Sequence, residues 1–143
     1  MIQFKHILLS LGAAAMLAAC EIETSGNGNL DGLWHLERVD TLATCGSTNL
    51  SDNNRFWAFQ AKLLNVRSAE ASYLMRFAHE GDSLFLSEPY QDDRTDGDQK
   101  LDTYEPLCPY GINDVADRFR IERLKGGDMV LSNKQLRLWL KKF

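Results

Sequence analysis

The chain has 143 residues, 44% hydrophobic and 25% charged, with three prolines and a formal net charge of −4. That is enough for one globular domain with a real core and too little for two ordinary ones. Collagen-like, low-complexity and disordered classes are excluded, and so acidic a chain is a poor partner for nucleic acid.

The chain opens with Lys5 and His6, followed by an apolar run from Ile7 to Leu17 broken only by Ser10 and Gly12. A short basic start, an apolar run and then small residues form the layout of a secretory signal. The run is shorter than the roughly 20 apolar residues that cross a bilayer as a helix. It ends in Leu17-Ala18-Ala19-Cys20, which resembles the lipobox of bacterial lipoproteins. The resemblance implies cleavage before Cys20, a diacylglyceryl group on its thiol and acylation (palmitate) of the new amino terminus; the alternative is an ordinary signal with a chance Cys. Two or more acyl chains anchor stably where one does not. Residues 1–19 are thus expected to be a lipoprotein signal peptide, residues 20–31 a flexible Gly/Ser/Asn-rich tether and residues 32–143 the folded domain. Loss of Lys5 with the leader takes the net charge to −5. The expected location is the outer membrane, lipid-anchored.

With Cys20 spent on lipid, Cys45 and Cys108 are the remaining thiols. Export favours reading them as a disulfide; two free thiols, or a metal pair with His, are the alternatives.

From Gly32 onward the hydrophobic period is mostly two, which argues strands. Eight are expected: Leu33–Val39, Arg55–Val66, Ala71–His79, Ser83–Glu88, Leu101–Tyr104, Arg118–Leu124, Met129–Ser132 and Gln135–Lys142. Glu80-Gly81-Asp82, Lys125-Gly126-Gly127-Asp128 and Ser132-Asn133-Lys134 supply turns. Asn113–Asp117 reads as one capped helical turn before the last three strands. No long amphipathic helix is visible. The expected fold is all-β, an eight-stranded antiparallel up-and-down barrel, which closes its own edges.

Asn29-Leu30-Asp31-Gly32-Leu33-Trp34 resembles the Gly-x-Trp signature of lipocalins (calycins), and the segments from Tyr110 to Asn113 and Phe119 to Phe143 are similar to the ending of small lipocalin-like bacterial lipoproteins. The resemblance implies that Trp34 closes one end of the barrel against a basic residue of the last strand, Arg137 or Lys142. The two later lipocalin motifs are not recognisable.

Trp34, Trp57, Phe59, Tyr73, Phe77 and Phe119 are candidates to line an apolar pocket, or else simply to fill the barrel. The Asp92–Asp102 loop fails as a calcium loop: with Gly97 at its sixth position, Arg94 and Thr103 fall where ligands are required. Trp139 is offset by one from the Leu136, Leu138, Leu140 face and is expected outside. No catalytic motif is recognisable, and no metal or cofactor is expected. The expected role is non-catalytic binding of a small apolar ligand. The alternative is a packed barrel that contacts a protein or glycan in an envelope assembly.

Overall fold

The computed structural model describes residues 27–143. The expected leader, Cys20 and most of the tether lie outside the described residues. Ten strands form one antiparallel sheet: β1 (Gly32–Thr41), β2 (Gly46–Asn49), β3 (Phe56–Gln60), β4 (Leu63–Arg67), β5 (Ser72–Glu80), β6 (Ser83–Gln91), β7 (Gln99–Lys100), β8 (Asp117–Lys125), β9 (Asp128–Ser132) and β10 (Leu136–Lys142). Eight of them follow one another around a cylinder, β1-β3-β4-β5-β6-β8-β9-β10, and β10 closes on β1 from Trp34↔Lys142 to Thr41↔Leu136. The expected barrel is present.

The two extra strands have simple origins. β2 and β3 pair with the same edge of β1, β2 along Arg38–Thr41 and β3 along Gly32–His35. They are one stave interrupted by the excursion Leu50–Arg55, which Leu36 N and Leu50 N pin through Arg55 O and Glu37 O. The short β7 pairs with Tyr90 and Gln91 of β6 beyond the barrel wall.

Three expectations on elements are corrected. Arg55–Val66 is two strands, because the chain turns at Ala61-Lys62 with Ala61 at φ 54°. The turn reverses which residues face inward: Leu64 and Val66 are buried, while Leu63 is 48% exposed. Leu101–Tyr104 is not a strand. The helical turn is a 3-10 segment at Glu105–Tyr110, with Pro106 in its first turn, rather than Asn113–Asp117. Asp117 instead uses its carboxylate locally, accepting from Asn113 N and Asn133 Nδ2.

Both ends of the cylinder are plugged from inside the chain. One end, here the tether end, carries the chain's first described residues and Phe143. There Asn27–Asp31, expected to belong to the tether, contain a 3-10 turn that sinks Leu30 fully into the core. Trp34 Nε1 donates to Leu30 O at 2.8 Å, and Lys142 Nζ lies 5.2 Å from the Trp34 ring centroid. The basic partner of Trp34 is therefore Lys142; Arg137 pairs outside with Glu122 at 2.7 Å. At the opposite, loop end, Leu107, Tyr110 and Ile112 are buried, and Trp57 Nε1 donates to Tyr110 O at 3.0 Å.

Two glycines make these plugs possible. Gly32 has φ 122°, and a Cβ there would meet Lys142 Cε at 2.9 Å. Gly111 has φ 83°, and a Cβ would meet Leu138 Cδ2 at 2.6 Å. Gly111→Ala combines a disfavoured backbone with a core clash, so it is expected to lower unfolding free energy by roughly 2–4 kcal/mol in urea melts. A change within experimental error would contradict the packed plug.

Candidate functional site

The six candidate aromatics come from four staves: Trp34 from β1, Trp57 and Phe59 from β3, Tyr73 and Phe77 from β5, and Phe119 from β8. Alternation points each inward, and the closed sheet brings most of them against one another. Ring centroids lie 5.0 Å apart for Phe59–Phe77, 6.0 Å for Trp57–Phe119 and 6.1 Å for Trp57–Phe59, in edge-on or tilted arrangements that aromatic pairs favour. Trp34, Trp57, Phe59 and Phe119 are 2% exposed or less. Leu, Met, Val and Ile side chains complete this cluster, and no polar or charged residue among those described is buried. Five of the six candidates are thus core, the alternative weighed against a pocket lining.

Tyr73 differs. It is half-buried where the β3–β4–β5 wall is low, and its ring meets Tyr110 edge-on at 6.1 Å. Together with Pro106, Pro109, Arg55 and Glu70 they line a depression of about 520 Å³ at the loop-end mouth. Tyr110 OH donates to Ser68 Oγ at 3.0 Å, which ties the plug to the β4–β5 turn, and burial pushes its phenol pKa up. Tyr110 entered the sequence reading only within the family resemblance, and its prolines not as site residues. Their signal was Pro near the start of a short turn closed by Gly111, which composition reads as plain loop. A second depression of about 650 Å³ at the same end is polar, with Arg118, Arg120 and Lys134 facing Asp114 and Asp117. Burial raises the Asp117 pKa despite three hydrogen-bond donors.

One wall of the mouth is held by His35. Its Nδ1 pairs with Glu37 at 2.9 Å, and its Nε2 bonds to Asn53 O in the Leu50–Arg55 excursion. Burial works against the ring's charge, but the bonds to Glu37 and Asn53 outweigh it and raise the pKa above the usual 6.5. A raised folded-state value gives stabilisation that is complete below the unfolded value and fades as pH climbs through the folded one. His35→Gln is therefore expected to cost more stability at about pH 5.5 than at about pH 8.5. Equal losses at both, read by urea unfolding, would show that the clamp does not depend on charge. His79 bonds Gly81 O at 3.0 Å beside its own turn, far along the chain from His35.

The expected Cys45–Cys108 bridge is not formed: both thiols are free and exposed. Cys45 sits in the β1–β2 turn at φ 55° and Cys108 in the 3-10 segment, where burial and Glu105 raise its pKa. The plug is held by Leu107, Tyr110 and Ile112 instead, so no cross-link is required. Cys45→Ser with Cys108→Ser is expected to leave stability within about 0.5 kcal/mol, and a thiol reagent is expected to find both sulfurs in the native wild type. A loss of several kcal/mol would restore the bridge.

Together the meander, the β1–β10 closure, and Trp34 set between Leu30 and Lys142 define a small lipocalin-like barrel. The model of the lipocalin-like domain family matches residues 15–143, and the chain belongs to that family. In structure it is similar to a lipocalin-like protein from Bacteroides uniformis at 16% identity and TM-score 0.60, covering 81% of this chain and 100% of that one. It is also similar to an uncharacterized protein from Bacteroides eggerthii at 15% identity and TM-score 0.54, covering 79% of this chain and 98% of that one. Likenesses at this identity concern the fold. No curated protein matches the chain.

Proposed function

We propose that this chain is a lipid-anchored, non-catalytic module of the bacterial cell envelope, held at the outer membrane by acylated Cys20, which acts through its outer surface and loop end. One observation carries the reading: the chain's own side chains fill the barrel where a lipocalin-like carrier would hold cargo. Eight-stranded barrels are only wide enough for side chains or for one small ligand. Here Trp57, Phe59, Phe77 and Phe119 take that space. The partner surface is the loop end, where a protein or glycan would meet the mouth depression and the acidic segment from Asp92 to Asp117. The non-catalytic reading is supported by the two histidines, both committed to local hydrogen bonds.

A second reading keeps a small apolar ligand and moves it to the mouth. It is favoured by the exposed part of Tyr73, which stands with Pro106, Pro109 and Tyr110 in a depression otherwise lined mostly by polar side chains. Native mass spectrometry of protein purified from its membrane separates the two. The surface module is expected to fly as an acylated chain beginning at Cys20, with no stoichiometric companion. A co-purifying apolar molecule, lost from a Tyr73→Ala variant, would establish the second reading. An unacylated precursor mass would overturn the anchor.

A further inference from the structure

Where the tether joins the barrel decides which face meets the bilayer. Asn27 is fixed at the tether end: its Nδ2 donates to Ala61 O in the β3–β4 turn at 2.6 Å. Only six residues, 21–26, lie between Cys20 and Asn27, and the seven steps reach at most about 25 Å when fully extended. Ten-residue β1 rises about 33 Å along its own direction and, at a strand tilt of roughly 40°, about 25 Å along the barrel axis. A chain acylated at Cys20 would need its whole tether stretched along the barrel to present the loop end, whereas a relaxed tether keeps the tether end at the membrane.

The tether end is chemically uneven. Around the β1–β10 seam, where the tether emerges, stand Lys62 in the β3–β4 turn, Lys125 in the β8–β9 turn, and Lys141 and Lys142 at the end of β10. Lys62, Lys125, Lys141 and Lys142 are all exposed. Phe143, the last residue, packs edge-on against Phe56 at 5.4 Å yet remains 83% exposed, the barest large apolar side chain described. Exposed Leu63 lies beside the same β3–β4 turn. Two acids share the seam side, Asp31, which accepts from Asn27 Nδ2 at 2.6 Å, and Asp128, which pairs with Arg123 at 3.6 Å, so the four lysines still outnumber them; Glu80 and Asp82 sit at the β5–β6 turn, half the circumference from the seam. At the loop end the balance reverses, with eight acids against two basic residues between Asp92 and Asp117.

We propose that the seam side of the tether end is a membrane-docking surface, in which Phe143 enters the interface of the bilayer and Lys62, Lys125 and Lys141 contact anionic lipid headgroups, while Lys142 stays on Trp34. This rests on the anchor reading above and adds an orientation to it. Juxtamembrane lysines are drawn to an anionic leaflet, and an aromatic side chain at the surface adds apolar burial, whereas the acidic loop end is repelled. The domain then stands tilted on its seam, with the mouth and the acidic segment pointing away from the lipid.

The full chain already carries two reporters at the far end, Cys45 and Cys108. The acylated protein is purified and placed in vesicles of phosphatidylethanolamine with phosphatidylglycerol, then treated with a membrane-impermeant maleimide. In a Cys45→Ser, Cys108→Ser background carrying Phe143→Cys, labelling is expected to be roughly fivefold or more slower in vesicles than in detergent. Native Cys45 and Cys108 should label equally in both. Lys62→Glu with Lys125→Glu and Lys141→Glu should restore fast labelling at position 143 while the protein still floats with the vesicles. A floating protein whose residue 143 labels as fast as in detergent overturns the docking alone. A wild-type chain that does not float overturns the anchor and the docking with it.

Discussion

Closure of the first strand on the last fixes the rest of the molecule. β1 meets β10 along its length from Trp34↔Lys142 to Thr41↔Leu136, with one bulge between Leu36 and Arg38. Without that pairing both strands would present open edges, and the inward faces of eight staves would have no shared interior. The seam is also fastened from outside. Arg38 forms a forked pair with Asp40 at 2.7 Å and lies 4.9 Å over the Trp139 ring, while Trp139 Nε1 donates to Asp40 at 3.1 Å. The Arg38 hydrogen bonds, with help from Ser47 and Trp139, hold the Asp40 carboxyl well below the usual carboxylate range. Trp139 is thus outside, as its offset from the leucine face implied, but occupied by its own seam.

Closure sets a volume, and the sequence fills it. A narrow cylinder with inward aromatic rings from half its staves and aliphatic side chains from the rest has little left to enclose, and the Trp34 and Trp57 N–H groups bond the backbone of the two plugs. The polar end of each large side chain therefore ties wall to lid. Specificity in such a molecule has to come from what surrounds the cylinder: a mouth lined by Tyr73 and two prolines, an acidic far end, and a basic rim beside the tether. Fold and function separate cleanly here, since the same wall in a wider or emptier form would be a container.

Much of this architecture was legible in the residues. Strict alternation in Tyr73-Met75-Phe77, Leu84-Leu86 and Leu136-Leu138-Leu140 gave those staves and their inward faces, because a half-buried strand must repeat every two residues. What was hidden has identifiable causes. The Ala61-Lys62 turn uses no Gly or Asn, so Arg55–Val66 looked continuous. β2 is Gly-Ser-Thr-Asn, fully exposed, and carries no apolar pattern. The 3-10 plug is built from Pro-Leu-Cys-Pro, whose burial depends on Leu107 alone until the chain reaches Tyr110. The thiols misled for a different reason: parity and compartment say when a bridge is allowed, not whether two loops come together. Five of the six candidate aromatics share the interior, but no sequence pattern distinguishes rings that line a space from rings that fill it.

Native-state hydrogen exchange at the seam tests the central claim most directly. If closure organises the whole domain, the amides of β1 and β10 that bond across the seam exchange only through global unfolding, with the same opening free energy as the β5–β6 amides on the opposite wall. Seam amides that exchange through a much cheaper local opening, while β5 and β6 stay protected, would describe an open sheet with a loosely laid edge and would contradict the closed, filled barrel.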